Sequence, residues 1–294
     1  IDSFCEDLDL FTADLAAPFP DWESDAGERV LHDEIFGTRL RLLKSLKNSQ
    51  GPSVVVTAIQ SLLQPVPDQE SLQDATRVVS VGQQLDTDQL CTWLAEQGCQ
   101  STTAVELPGE FSLRGGILDV FPPDSLDPIR IELFGDDIES IRSFDVATQR
   151  SLETHESVEL TVLEPNRKSR THFTSYLAEQ SWFLLVEPNQ LKEEGRYYHQ
   201  RLEHPEDFFA TNTTLAEIYK FPSITASGIP AGSFETTAHL QFESFERFSG
   251  DVHRVREELD EATAGQRVFL VVETEAEEQR LAELFAETKV ATEG

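Results

Sequence analysis

The sequence has no methionine, only three cysteines, and 23 Lys+Arg against 54 Asp+Glu, a formal net charge of −31 over 294 residues. Each shortage excludes something. Cys5, Cys91 and Cys99 are too few and too scattered for a disulfide framework or a thiolate zinc site, so reduced, mostly buried thiols are expected. Base is scarce everywhere: 6 basic against 14 acidic residues in 1–80, 4 against 15 in 81–157, and 13 against 25 in 158–294. No segment offers the Lys/Arg surface that unspecific nucleic-acid binding draws on. Long apolar runs are missing too. SVVVTAI (53–59) and RVFLVV (267–272) fall short of the roughly 18 residues a membrane span needs. The acidic start, IDSFCEDLDLF, lacks the basic opening of a signal peptide, so a cytoplasmic location is expected. The absent methionine and the initial Ile1 read as a piece of a longer chain.

The usual catalytic signatures are missing as well. There is no G-x-x-x-x-G-K-[ST], no G-x-S-x-G and no H-E-x-x-H, which leaves no recognisable phosphate loop, nucleophile elbow or zincin site. His32-Asp33-Glu34 and His199, His204 and Asp207 are conceivable metal ligands. Adjacent residues diverge on a helix or strand, however, and the second group is loosely spaced around Pro205, so solvated surface is the better reading of both. Cys5 or Cys91 as a nucleophile would need a positive environment. Cys91 lies beside an apolar helix face and reads as core. No catalysis, no metal and no cofactor are expected on this chain.

What is present has three textures. Over 1–80, helix and strand alternate. Phe4, Leu8 and Phe11 recur at helical spacing, and APFPDW (17–22) is an extended, Pro-broken piece. DEIFGTRLRLLKSL turns Ile35, Leu40, Leu43 and Leu46 to one face, and SVVVTA (53–58) reads as a strand of a parallel sheet covered on both sides. Over 81–157, Asp86 with Gln89 predicts a capping box and Leu85 with Leu90 a staple. That helix buries Leu90, Trp93 and Leu94 and stops at Gly98. Antiparallel strands follow, including a hairpin of 129–134 and 138–144 joined through Gly135-Asp136-Asp137. This is a small α+β domain. After 158 the α/β texture returns, with SWFLLVEP (181–188) as a buried strand, TLAEIYKF (214–221) as a helix and HLQFESF (239–245) as a partial alternation. From about 248 helix, strand and a second capped helix open a further α/β unit that stays unfinished.

In 129–134, period two sends Ile129, Ile131 and Leu133 toward the helix and Arg130, Glu132 and Phe134 to the opposite face. Arg114 lies on a strand expected to pair nearby. An exposed Phe beside arginines is the composition of an interface hot spot. The alternative is that Phe134 tucks under the hairpin turn and each Arg pairs with Glu132 or Asp136. The pattern alone leaves both open.

GEFSLRGGILDVFPPDS followed by PIRIELFGDDIESIRSFDVATQRSLE resembles the UvrA-binding domain shared by the excision-repair protein UvrB and the transcription-repair coupling factors. The flanks APFPDWES, DEIFGTRLRLLKSL, VVVTAIQSLLQPVP, FPSITAS and GSFETTAHLQFESFERFSGD are similar to the transcription-repair coupling factor (Mfd) family rather than to UvrB. The resemblance implies an α/β fold. It consists of a degenerate helicase-like (P-loop-fold) domain in two parts (1–80 and 158–247), an inserted α+β UvrA-binding domain (81–157) and the truncated start of a next α/β domain (248–294). It also implies a strand preceding Ile1, a UvrA contact through Arg114, Arg130 and Phe134, and masking of that face by a C-terminal domain elsewhere in the parent protein. ATP and magnesium would serve parent motor domains, and RNA polymerase and DNA would be reached only through parent domains. A UvrB-type damage-binding helicase subunit and a metal-dependent hydrolase are the alternatives from other classes.

Overall fold

Asp33 Oδ1 accepts the backbone N–H groups of Ile35 and Phe36 at 2.8 and 3.2 Å, and this cap starts the helix α2 (Glu34–Lys47). The chain is described by a computed structural model that covers residues 1–12, 16–22, 30–48, 51–163, 165, 170–228 and isolated positions from 236 to 282. It divides into two compact units, Ile1–Ala231 and Gly232–Gly294. Nearly all of the second unit, including the helix, strand and helix expected from 248 onward and most of HLQFESF, lies outside the described residues.

The first unit opens with α1 (Asp2–Asp9), β1 (Ala17–Phe19), α2, β2 (Val55–Thr57), α3 (Ile59–Leu63), β3 (Val66–Pro67), α4 (Gln69–Asp74) and β4 (Thr76–Ser80). A second run holds α5 (Thr87–Glu96), β5 (Gln100–Ser101), β6 (Glu110–Arg114), β7 (Ile117–Val120), β8 (Ile129–Phe134), β9 (Asp137–Phe144) and β10 (Ser151–His155). The chain then returns through β11 (Ser157–Thr161), β12 (Arg170–Thr171), β13 (Phe183–Val186), α6 (Pro188–Arg201), α7 (Thr211–Ile218) and β14 (Ser223–Ala226). The result is a mixed α/β protein with several sheets. β1 pairs with β2 and β13 with β14 in parallel, while β4 with β11 and β3 with β12 are antiparallel.

Several expectations change here. SVVVTA forms only the half-buried three-residue β2, which pairs with the extended APF of β1, so no parallel sheet covered on both faces is seen among the described residues. SWFLLVEP is not a buried strand: Leu185 is buried, whereas Leu184, Val186 and Trp182 are exposed. Its described partner, β14, is itself largely exposed. In α1 the buried residue is Cys5, and Phe4 and Phe11 are exposed. The buried stripe of α2 takes in Phe36, Gly37, Arg39, Leu40, Leu42 and Leu43, wider than the predicted face. Arg39 can sit there because it donates to the Pro20 carbonyl at 2.6 Å and lies 4.1 Å over the Phe19 ring.

The second run folds over its own core. Asp86 caps α5 through the Gln89 N–H at 2.9 Å, and Gly98 takes φ +93° just past the helix end. Leu90, Trp93 and Leu94 of α5 join Phe111, Leu118, Val120, Ile129, Ile131, Ile138 and Ile141 from one face of a sheet ordered β10-β9-β8-β7-β6-β5. Each fully buried Leu or Ile contributes about 1.5–3 kcal/mol. The β8–β9 turn is shorter than predicted, because Phe134 pairs with Asp137 and only Gly135 and Asp136 remain between them.

A separate core around Phe19, Trp22, Phe36, Leu40, Leu62 and Leu185 holds the α/β part together. At its margin His172 is buried, with Nδ1 accepting the Thr174 backbone N–H at 3.3 Å and lying 2.8 Å from Thr174 Oγ1. Burial holds this imidazole below its ordinary value of 6.5. The unfolded chain therefore binds a proton that the native state refuses. The stabilisation is complete above about pH 6.5 and is lost as pH falls toward the lower native value, by up to ~1.4 kcal/mol per pH unit. Urea midpoints measured from pH 7.5 to 5.5 should fall, and His172→Asn should flatten that part of the profile. Identical slopes for the two proteins would refute it.

Candidate protein-interaction face

The sheet face opposite α5 carries the residues singled out in the sequence. Asp119 of β7 is paired with Arg130 of β8, and Arg130 with Arg142 of β9. One step along, Ile117, Glu132 and Ser140 form the next row, with Arg114 of β6 beside Ile117. Because directly paired residues share a face, both arginines, Asp119, Glu132 and Phe134 lie on one side. β8 keeps its alternation to the end: the register shift between Glu132 and Leu133 is absorbed on β9, where Ile138 and Ser140 oppose consecutive β8 residues.

Phe134 is 75 % exposed. It does not tuck under the turn. Extending the β7–β8 register by two residues from Ile117↔Glu132 sets it opposite Gly115, which has no side chain to cover it. Gly115 and Gly116 make a turn that larger residues would spoil: Gly115 has φ +61°, and a Cβ on Gly116 would meet the Leu133 carbonyl at 2.7 Å. The hairpin tip is pinned from behind, since Leu85 N–H donates to the Asp136 carbonyl at 2.8 Å and Ile138 N–H to that of Gln83 at 3.0 Å. The ring is thus an exposed apolar group on a fixed support.

The two arginines differ. Arg130 is only 15 % exposed and grips the buried Asp119 side-on, Nε to Oδ1 at 2.6 Å and Nη2 to Oδ2 at 2.8 Å. Nη2 also donates to Gln149 Oε1 at 3.0 Å, and the guanidinium carbon lies 4.3 Å over the buried Phe144 ring. The hydrogen bonds to Asp119 raise its pKa beyond the ordinary arginine value against the opposing effect of burial, so it stays charged. Arg114 is 58 % exposed and reaches the same Asp119 from 3.6 Å. Neither pairs with Glu132 or Asp136. Glu132 instead takes Arg142 and the Ser140 hydroxyl. Asp119, Phe144 and Gln149 were missed in the sequence. Their roles depend on strand register and on a turn that folds back over β8, and no periodicity carries either.

The other candidates disperse. Asp33 caps α2, Asp207 faces Arg170 at 3.6 Å, and exposed His204 lies 3.3 Å from Glu206. Burial raises the Cys5 and Cys91 thiols, with nearby carboxylates adding to it, and pushes Cys99 up to about 12, which disfavours thiolate chemistry. Among the described residues no group of three or more His, Cys, Asp or Glu is placed to hold a metal ion, and no helix is long and apolar enough to cross a membrane.

Residues 78–164 match the family described as the UvrB interaction domain. The chain is 32% identical over 203 residues to the transcription-repair-coupling factor of Bacillus subtilis, covering 66% of this chain and 17% of that protein. It is 36% identical over 158 residues to the factor of Mycobacterium tuberculosis, covering 51% and 13%, and 33% over 156 residues to that of Escherichia coli, covering 53% and 14%. The chain therefore spans less than a fifth of the length of these relatives, and the family match is confined to its residues 78–164.

Proposed function

We propose, from a UvrB interaction domain at 78–164 in a chain similar to transcription-repair-coupling factors, that this is an N-terminal UvrA-recruiting module of such a factor. In the parent protein it links stalled RNA polymerase to nucleotide excision repair. Arg114, Arg130 and Phe134 form the contact: Phe134 enters an apolar pocket of UvrA, and the arginines donate charge-assisted hydrogen bonds to its carboxylates. The observation that carries this reading is Phe134, three-quarters exposed on a braced hairpin and on the same sheet face as Arg114. A side chain so placed contributes little to the fold and much to a partner.

The module itself performs no catalysis and takes no cofactor. ATP, magnesium, DNA and RNA polymerase belong to further domains of the parent, and a C-terminal domain there masks this face at rest. The α/β part is a degenerate helicase-like domain (1–80 and 158–247) with 81–157 inserted. Two parallel strand pairs whose strands lead into helices, β2 into α3 and β13 into α6, support that reading. The missing phosphate loop disfavours a UvrB-type helicase subunit.

Calorimetric titration with UvrA tests the contact. Phe134→Ala should weaken binding by about 2 kcal/mol, roughly 30-fold, and Arg114→Ala by about 1–3 kcal/mol, with thermal stability nearly unchanged in both. Unaltered affinity in both variants would remove this face from the interface.

A further inference from the structure

A guanidinium has two double-donor edges, Nε with Nη2 and Nη1 with Nη2. On Arg130 the first edge is filled by Asp119. Nη2 has a second hydrogen, and it points to Gln149 Oε1 at 3.0 Å, so Gln149 occupies half of the other edge. Among the described residues Nη1 makes no hydrogen bond. The side chain is thus held firmly on one edge and loosely on the edge a binding partner would use.

Gln149 is built for that contact. It sits at φ +57°, one of two described non-glycine residues with a positive φ, in an exposed turn. The turn is closed by Asp145 N–H to the Arg150 carbonyl at 2.9 Å and Gln149 N–H to the Asp145 carbonyl at 2.8 Å. The Thr148 N–H and hydroxyl both donate to Asp145 Oδ1 at 2.6 Å. The Gln149 side-chain amide donates in turn to the Val146 carbonyl at 2.9 Å, which leaves its oxygen facing Arg130. Left-handed backbone on a residue with a Cβ is unfavourable and persists where the surroundings impose it, often at ligand clamps. Arg130 does not need this support for its orientation, because Asp119 and the Phe144 ring already fix it.

We propose that Gln149 is a placeholder. In the free chain its amide oxygen holds the Arg130 donor that a carboxylate of the partner takes in the complex. The inference rests on the reading that this face binds UvrA, and it names the residue that sets the selectivity of the contact. A carboxylate is the stronger acceptor for a guanidinium and can bridge Nη1 and Nη2 together. An acidic side chain therefore displaces Gln149 with a net gain, whereas a neutral Asn, Gln or Ser of a partner merely replaces one amide bond by another.

Two measurements test it. In calorimetry with UvrA, Gln149→Asn, which tolerates the left-handed backbone but is one methylene too short to reach Arg130, should bind about threefold tighter or better. Gln149→Glu, which fills the edge with its own carboxylate, should bind about tenfold weaker or worse. Both effects should vanish in an Arg130→Lys background, where no second edge exists. In the free chain, sodium acetate titrated against the Arg130 side-chain nitrogen signals should show a midpoint about twofold or more lower for Gln149→Asn than for the unaltered chain, and a higher one for Gln149→Glu. Acetate midpoints that do not move overturn the placeholder, whatever UvrA does. If the midpoints order as expected while UvrA binds none of the chains, the placeholder stands and the partner assignment fails. Weaker UvrA binding by Gln149→Asn overturns it too, because Gln149 would then be a contact in its own right.

Discussion

Arg130→Ala should cost the protein about 3–5 kcal/mol of stability, besides whatever it costs in binding. The reason is Asp119, which is 2 % exposed and keeps its charge company almost entirely through Arg130. Removing the guanidinium leaves a buried carboxylate and strips a stacked cation from the Phe144 ring. Arg114, at 3.6 Å from the same carboxylate, can swing inward and hold the loss to the lower end of the range. Arg114→Ala alone, by contrast, removes an exposed and longer ion pair and should cost under ~1 kcal/mol. Urea unfolding of the two single variants gives the comparison. Adding Asp119→Asn to Arg130→Ala should return part of the stability, because an amide needs no counter-charge. Equal stabilities for the two arginine variants would show that Asp119 does not discriminate between them. A loss of UvrA binding in Arg130→Ala is consequently ambiguous by itself, and Arg114 and Phe134 are the cleaner probes of the proposed interface.

The second large effect lies where α2 meets the loop after β7. Lys44 Nζ is 2.6 Å from Asp124 Oδ2 and 3.2 Å from Glu159 Oε2. Asp124 is buried, and its Oδ1 has no hydrogen-bond partner among the described residues. Burial raises the Asp124 carboxyl, and Lys44, with a weaker contribution from Arg41, pulls it back. Lys44→Met keeps most of the aliphatic stem but removes the opposing charge, and should destabilise the protein by about 3–5 kcal/mol near neutral pH. The sign of the pH dependence follows. With Asp124 raised further in the variant, the native state favours the protonated acid. Stability is then retained below the ordinary aspartate value of 3.8 and lost as pH rises through the higher native value. The gap between Lys44→Met and the unaltered protein should therefore be wider at pH 7 than at pH 4.5. A gap independent of pH would assign the loss to packing instead.

The sequence showed the helix α5, its cap, its stop at Gly98 and the two faces of β8 because each rests on neighbours within a few residues. The capping aspartate, the glycine and the period of two are local signals. Asp119 was not legible. It meets Arg130 only after β7 and β8 pair with Asp119 opposite Arg130, a register set by the loop between them. Gln149 depends likewise on a turn folding back over a strand nineteen residues earlier. The apolar run of β13 misled for a different reason: continuous hydrophobicity marks a strand whose two faces are both covered, and here only Leu185 is. The degree of cover is decided by elements distant in sequence, and 181–188 holds no signal for it.

The strands on either side of the interaction domain have a consequence for how such a domain can travel between proteins. β4 enters and β11 leaves as an antiparallel pair, Ser80 opposite Ser157 through Thr76 opposite Thr161. Entry and exit are therefore one strand spacing apart. A segment whose ends meet in this way can be spliced into a host by opening one surface loop, and the host's backbone on either side keeps its course. The core beneath the six-stranded sheet moves with it intact only if β4 and β11 move too, because they supply Val79 and Leu160. What does not move with it is the Lys44–Asp124 pair and the close approach of Gly37 to the Pro123 carbonyl. Recombination could hand the proposed binding face to a new chain almost ready-made. The angle at which that chain holds the face out would have to be evolved afresh in each recipient.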